Sequence, residues 1–219
     1  WFKTGLNLSL TRTVSNYSTS TSGSSSSYNN LARFIRGMAP IYPIHKHDLA
    51  TGAYLDAAGQ TTTDPSKYVY DYDGYRLANA GRDALAETEF NDRYLARNNQ
   101  SATTYITIFP IEGMNLTTNY SYHNVDNREK VYENPWVGDG TAGPGRMSQN
   151  ATRRITQTFN QLISYSKDFG KHTVDAMVGH ESYTMKYEYM RGYMVAETFN
   201  GIHEFANFLT ISDLNSYTD

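Results

Sequence analysis

Cysteine is absent from the 219 residues of this chain. Disulfide-stapled scaffolds, thiol catalysis and cysteine metal sites are therefore excluded. The sequence also lacks any run near the ~18 consecutive apolar residues that a membrane-spanning helix requires, and its mean hydropathy is −0.61. A strand that crosses a membrane needs an apolar residue only at every second position, so strand-built membrane proteins stay possible.

An excess of positive charge is missing as well. The chain has 19 basic and 22 acidic residues, a formal net charge of −3, which argues against a nucleic-acid binder that relies on phosphate contacts. There is no signal-peptide core and no initiator methionine, and the sequence starts "WFKTGLNLSL", already in a strand pattern. We therefore expect an internal piece of a longer polypeptide.

Tyrosine is the residue that stands out. Aromatic residues make up 14% of the chain, and 19 of them are tyrosines. A tyrosine ring is apolar while its hydroxyl needs a polar partner, so tyrosine suits a boundary between two environments. Interfacial girdles, sugar-binding surfaces and tyrosine-rich all-β domains all fit this composition, which does not choose among them.

Alternation of apolar and polar residues predicts an all-β fold. In residues 2–11 the even positions are mainly apolar and the odd positions mainly polar, and residues 115–123 and 172–180 repeat the scheme. Residues 102–109, "ATTYITIF", are rich in β-branched and aromatic residues. The predicted strands cover about 2–16, 99–110, 114–131, 152–166 and 171–191.

The connections between these strands alternate in length. Long segments cover about 17–98, 132–151 and 192–219, whereas "PIEGM" and "KDFGK" are tight turns. A soluble meander has no reason to place every long connection at one end, but an outer-membrane barrel does. The pattern predicts consecutive antiparallel strands of one large transmembrane β-barrel domain with long extracellular loops. Five strands cannot close such a barrel alone.

The apolar side of each predicted strand is expected to face lipid. To this side we assign Leu6, Leu8, Leu10, Leu116, Tyr120, Tyr122, Phe159, Val174, Ala176 and Val178. Gln161 argues against the prediction, because it falls on the same side near the middle of the membrane. In the last strand the apolar parity switches to Tyr183 and Met185, which is expected of a strand that leaves the bilayer, with a bulge as one way to produce the switch.

Four phrases, in this order, resemble the middle of the SusC/RagA family: "WFKTGLNLSLTRT", "ARFIRGMAPIYPIHKHDLATGAYLDAAGQ", "YDYDGYR" and "NQLISYSKDFGKHTVDAMVGHESY". These are TonB-dependent outer-membrane transporters of Bacteroidetes. The resemblance implies a barrel of ~22 strands with a plugged lumen. It also implies a SusD-like surface lipoprotein as partner, TonB contact through a missing N-terminal region, and import of glycans or peptides. The plug domain is absent from this chain.

No motif predicts catalysis, a cofactor or a metal. Residues 138–143 satisfy G-x-G-x-x-G, but prolines at 135 and 144 replace the strand and helix that a dinucleotide site needs, so a flexible external loop is expected. His45 and His47 lack a third ligand, which favours a solvated loop. The acidic residues form no recognisable catalytic pair. We therefore do not expect an enzyme.

The long segment 17–98 is the best candidate for contact with a ligand or a partner. Segments of this length are usually functional or disordered, and tyrosine faces can stack on sugar rings or a peptide. With the tryptophan of the next long segment, the candidates are Tyr42, Tyr54, Tyr68, Tyr70, Tyr72, Tyr75 and Trp136.

Two other functions stay open. A soluble carbohydrate-binding or adhesin-like β module would use the tyrosine-rich segment as its binding face and bury Leu6, Leu8, Leu10, Leu116 and Tyr120 in a protein core. An extracellular hydrolase is disfavoured because no catalytic arrangement is recognisable.

Overall fold

One antiparallel sheet dominates the molecule. A computed structural model of the chain describes residues 1–16, 42–72 and 80–219. In these ranges, six strands pair in sequence order, each with the next. The strands are β1 (Phe2–Ser15), β2 (Asp92–Ile108), β3 (Met114–Glu133), β4 (Arg146–Phe169), β5 (His172–Glu197) and β6 (Phe208–Thr218). The predicted all-β fold class is confirmed.

Short helical elements lie in the connections. The α-helix α1 (Ala84–Phe90) precedes β2, and single 3-10 turns cover Pro65–Lys67, Gly138–Ala142 and Phe205–Asn207. Among the described residues, none of the helices has the length and apolar character to cross a membrane.

Connection lengths alternate between the two ends of the sheet. The tight turns at residues 109–113 and 170–171 lie at one end, which we call the lower end. At the other end, which we call the upper end, β1 ends and β2 begins, and the connections at residues 134–145 and 198–207 lie there. Gly113 and Gly170 have φ values of 82° and 66° in the tight turns, a conformation that glycine adopts without steric cost.

The sixth strand corrects the prediction that residues 192–219 form a loop. β6 pairs with β5, but its register shifts between Tyr193 and Met194, so that Asp213 and Ile211 face these neighbours and Ser212 is left between them. The extra residue moves the apolar positions from Leu209 and Ile211 to Leu214. Because this bulge interrupts the period of two, alternation does not reveal the strand.

The bulge predicted between Val178 and Tyr183 is not present. The register of β4 and β5 is continuous from Phe169↔His172 to Arg146↔Val195. The apolar residues Tyr183 and Met185 therefore lie on the opposite face of the sheet from Val178. The change in parity reflects a change of face and not an inserted residue.

The apolar residues gather on one face, which we call the belt face. Directly paired residues of antiparallel strands project to the same side, and the pairing aligns Leu6, Thr104, Tyr120, Phe159 and Ser182 across β1–β5. The same register places every residue predicted to face lipid on this side. Leu6 is 73% exposed and Val178 is 71% exposed. No described element covers the lower part of this face.

The opposite face, which we call the polar face, carries hydrogen-bonded side-chain pairs between neighbouring strands. They include Thr107–Thr117 at 3.1 Å, Thr103–Ser121 at 3.3 Å, Asn119–Asn160 at 2.6 Å, Asn99–His123 at 2.7 Å and Asn127–Thr152 at 3.1 Å. Polar groups on this face satisfy one another from the lower end to the upper end. This face is therefore the more polar of the two, although Leu162, Met177, Tyr183 and Met185 also project from it.

The small hydrophobic core lies at the upper end. Tyr132, Met147 and Phe208 are buried, and Met194 and Phe205 pack against them. These side chains hold the connection 198–207 against the upper part of the belt face. None of the residues that the soluble-module alternative assigns to a core belongs to this cluster.

Candidate functional site

A tyrosine-rich segment, residues 42–72, folds over the upper end of the sheet. Three isolated bridges organise it, pairing His45 with Tyr70, His47 with Tyr54, and Leu55 with Thr61. Backbone hydrogen bonds from Lys46 N to Val69 O and from Asp71 N to Ile44 O, both 2.8 Å, lock the two ends of the segment together. The bridges bring side chains that are far apart in sequence onto one surface.

Six rings form a continuous line of contacts, which we call the aromatic row. It consists of Tyr54, Tyr68, His45, Tyr70, Phe90 and Trp136. Tyr54 stacks on Tyr68 at 4.3 Å between ring centroids, and His45 stacks on Tyr70 at 5.0 Å. Phe90 makes edge contacts with Tyr70 and Trp136, each at 5.7 Å. The row thus joins residues 42–72 to α1 and to the connection 134–145.

Side-chain caps fix α1 and the start of the connection 134–145, which carry Phe90 and Trp136 of the row. The Asp83 carboxylate accepts hydrogen bonds from Leu85 N and Ala86 N at 2.9 Å and starts α1, which positions Phe90. The Asn134 side chain accepts hydrogen bonds from Trp136 N and Val137 N, also at 2.9 Å.

A chain of charged side chains binds the same elements to the polar face. Arg82 contacts Glu87 at 3.0 Å and Asp139 at 2.5 Å. Arg146 contacts Asp139 at 3.8 Å and also Glu133. Arg93 reaches Glu133 at 3.4 Å. We call these six residues the charge chain: Arg82, Glu87, Arg93, Glu133, Asp139 and Arg146. It runs from α1 through the turn at 138–142 to three strands of the sheet.

Two glycines let the turn at 138–142 approach the charge chain. A Cβ atom on Gly138, whose φ is +85°, would lie 2.6 Å from the Glu87 carboxyl carbon, and one on Gly140 would lie 2.8 Å from the Glu133 carbonyl oxygen. Both glycines are buried. The G-x-G-x-x-G pattern therefore serves close packing, and residues 138–142 form a packed 3-10 turn where a flexible loop was expected.

The proton affinities of two groups follow from this packing. Burial raises the pKa of Glu87 to about 7, although the neighbouring Arg82 guanidinium opposes the shift. The hydrogen bond from the Tyr70 hydroxyl to Glu89, 2.5 Å long, raises the pKa of Tyr70 to about 12. Tyr70 therefore stays protonated and acts as a hydrogen-bond donor at neutral pH.

The structure brings four of the seven predicted contact residues together. Tyr54, Tyr68, Tyr70 and Trp136 belong to the aromatic row, and its two ends, Tyr54 and Trp136, are 44% and 41% exposed. Tyr72 lies apart under the Lys46 ammonium, 6.0 Å from its ring centroid. Tyr42 is half-buried at the start of the segment. Tyr75 lies outside the described residues.

Sequence reasoning missed two rings and the charge chain. His45 was expected in a solvated loop, but it packs between Tyr68 and Tyr70. Phe90 carried no signal beyond its aromatic character. Arg82 and Asp139 are 57 residues apart in the chain, so no local pattern links them. The part of the chain that the structure describes contains no group of three side chains suited to hold a metal ion.

The exposed rings at the two ends of the row, Tyr54 and Trp136, offer flat apolar faces. Aromatic faces of this kind can stack against a flat partner. No protein-family model matches the chain, and no curated protein matches it.

Proposed function

We propose that this chain is part of the wall and outer vestibule of a TonB-dependent outer-membrane transporter of the SusC/RagA type. The observation that carries the proposal is the exposed belt face. Leu6, Leu8 and Leu10 project from β1 with exposed fractions of 60–73%. Near the lower end the same face carries Ile108, Leu116, Ile163 and Val178, and it is interrupted one row further up by Gln161 and His180. A bilayer is the solvent that such a face suits, and a strand crosses it in about 9–11 residues.

The polar face supports the same proposal from the other side of the sheet. A transporter lumen is wet or filled by a plug, so its wall needs polar side chains. The hydrogen-bonded pairs between β2, β3 and β4 meet this need, and Asn119 with Asn160 is the closest of them at 2.6 Å. Lipid on one side and a polar lumen on the other is the arrangement of a transmembrane strand.

The upper end supplies the part that would meet nutrients. Long connections gather there, and the aromatic row lies among them. In the proposed transporter this end faces the cell exterior and lies beside the SusD-like lipoprotein. The exposed rings of Tyr54 and Trp136 would contact a glycan or peptide before it passes inward. Energy would come from TonB through residues outside this chain.

Fractionation of the source cells tests the proposal. Peptides of this sequence should be found by mass spectrometry in the detergent-extracted outer membrane, in a polypeptide far heavier than 24.8 kDa. A co-purifying surface lipoprotein would add support for the partner. Recovery as a small soluble protein would overturn the transporter proposal.

The aromatic row itself favours a second candidate, a soluble carbohydrate-binding β module. Such a module has to bury Leu6, Leu8 and Leu10, whereas these are exposed in the described sheet. Production of residues 1–219 without detergent separates the two candidates. A soluble monomer that binds a glycan, and loses the binding in Tyr54→Ala, would favour the module.

A further inference from the structure

The connection 198–207 contains a pair of residues that occurs once in the sequence. Asn200 is the only asparagine of the chain that is followed by glycine, Gly201. Both residues are exposed and lie in a turn between β5 and β6. Gly201 has a φ of 82°, a conformation that glycine adopts without steric cost. Because glycine has no side chain, nothing shields its main-chain nitrogen from the asparagine side chain before it.

The surroundings leave this pair free to move. Within the described residues, neither Asn200 nor Gly201 takes part in a hydrogen bond. The residues on either side, Phe199 and Ile202, are 65% and 51% exposed. Rotation of the Asn200 side chain toward the Gly201 nitrogen therefore breaks no hydrogen bond and displaces no packed neighbour.

The two ends of the turn, in contrast, are held by one buried side chain. Asn207 is 6% exposed. Its Oδ1 atom accepts a hydrogen bond from Phe199 N at 2.9 Å, and its Nδ2 atom donates to Phe199 O at 2.6 Å and to Ile202 O at 2.8 Å. We call these three hydrogen bonds the Asn207 clamp. The clamp fixes the separation of Phe199 and Ile202, so an extra backbone atom between them would break part of it.

The clamped connection also covers a buried part of the sheet. His203 stacks on Tyr132 with 3.6 Å between ring centroids, and Tyr132 is 1% exposed. Phe205 packs over Gly192, where a Cβ atom would lie 2.6 Å from its ring. Opening of the connection would therefore uncover the small hydrophobic core at the upper end.

We propose that Asn200 is a site of spontaneous backbone modification, at which it converts to isoaspartate and loosens the Asn207 clamp. The Gly201 nitrogen loses its proton and attacks the Cγ atom of Asn200. The new N–Cγ bond forms as the Cγ–Nδ2 bond breaks, and the side-chain nitrogen leaves as ammonia. Water then opens the resulting succinimide ring at the main-chain carbonyl carbon of Asn200. Water is the only other reactant, and no electrons are transferred.

The product lengthens the backbone inside the clamp. In isoaspartate the chain runs through Cβ and Cγ of residue 200, which adds one atom between its Cα and the Gly201 nitrogen, and a free carboxylate remains. We expect the clamp to lose one of its hydrogen bonds. The connection should then open roughly two- to tenfold more often, which corresponds to the net contribution of one hydrogen bond. This inference does not depend on the proposed membrane location.

Timed incubation of the full-length polypeptide at mildly alkaline pH tests the inference. Peptide mapping by mass spectrometry follows the conversion of each asparagine, and isoaspartate is labelled with protein isoaspartyl methyltransferase. Asn200 should convert first, with isoaspartate as the main product. Amide hydrogen exchange of residues 198–207 should rise roughly two- to tenfold as the product accumulates.

Asn215 is the matched control within the same chain. It is followed by the small residue Ser216, but it pairs with Arg191 in the sheet and should convert much more slowly. Asn200→Gln keeps an amide but moves its carbonyl carbon further from the Gly201 nitrogen, so conversion should stop. Gly201→Asn should slow it, because a side chain now hinders the nitrogen while asparagine still tolerates a positive φ.

Asn200→Asp, measured before incubation, separates added charge from added backbone length. It supplies the carboxylate without the extra atom and should leave the exchange of residues 198–207 nearly unchanged. An equal rise in this variant would overturn the role of the clamp. Conversion of Asn215 as fast as Asn200, no conversion of Asn200, or conversion without a change in exchange would each overturn the inference.

Discussion

The lower and upper halves of the sheet share the strands β1–β5, yet their side chains have different surroundings. In the lower half, apolar residues such as Leu8 and Val178 are exposed on the belt face, and no described element covers them. In the upper half, Tyr132, Met147 and Asn134 are buried by the chain's own connections. The upper half therefore supplies its own packing, whereas no described element of the chain packs on the apolar surface of the lower half.

Replacement of Arg82 should have the largest effect on stability, because Arg82 pairs with both Glu87 and Asp139 in the upper half. Arg82→Met leaves the buried Glu87 carboxylate without the guanidinium at 3.0 Å. Loss of one member of a buried ion pair costs about 3–5 kcal/mol where the group left behind is ionised, so the comparison is made at pH 8, where Arg82 serves both Glu87 and Asp139. We expect the free energy of opening of residues 81–91 to fall by about this amount, as measured by amide hydrogen exchange.

Lys67→Met is the control for that variant. Lys67 pairs with Asp64 at 3.8 Å, and both side chains are largely solvated, so its loss should cost about 0–1 kcal/mol. Exchange in residues 160–178, at the lower end, should stay unchanged in both variants. Equal exchange in the two variants would show that the charge chain does not hold the upper half together.

A charge on the belt face should have the next largest effect. Leu8→Arg places a guanidinium where lipid is proposed, at a cost of about 2–4 kcal/mol if the position lies near the midplane. Ser9→Arg is adjacent in β1 but projects from the polar face and should change stability by about 0.5 kcal/mol or less. The readout is urea stability of the full-length protein in lipid vesicles. Similar losses in both variants would contradict the assignment of the two faces.

The faces could be predicted from sequence because they depend on local alternation, which shows at Leu6, Leu8 and Leu10. The upper half could not. Its charge chain joins Arg82 to Asp139 and Glu133 to Arg146, pairs that form only after the connections fold back on the sheet. Strand β6 could not be predicted because the extra residue Ser212 interrupts the alternation of apolar and polar residues in it. The tyrosines of the aromatic row were predictable as a class, but their partners His45 and Phe90 were not.

Stability of the upper half should also depend on pH. The pKa of Glu87 is about 7 in the folded protein, against an ordinary value of 4.5. A raised folded pKa means that the folded state holds the proton more tightly, so the stabilisation is complete below pH 4.5 and is lost as pH rises through 7. Residues 84–90 should open more easily at pH 8 than at pH 5, by about 2 kcal/mol.

Hydrogen exchange at several pH values, corrected for intrinsic rates, measures this difference. Glu87→Gln removes the titrating group while it keeps a polar side chain near Arg82, so opening of residues 84–90 should become nearly independent of pH. The lower half contains no comparable buried carboxylate among the described residues and serves as the internal reference. A pH dependence that persists in Glu87→Gln would assign the titration to another group.

The smallest effect is expected on the polar face of the lower half, where water or a plug would meet the sheet. Asn119 donates a hydrogen bond to Asn160 at 2.6 Å, and both residues are half-buried. A double-mutant cycle with Asn119→Ala and Asn160→Ala should give a coupling of about 0.5–1.5 kcal/mol, because water replaces much of a lost hydrogen bond at a wet surface. A larger coupling would mean that this face is dry, and the proposed division into a lipid side and a wet side would then fail.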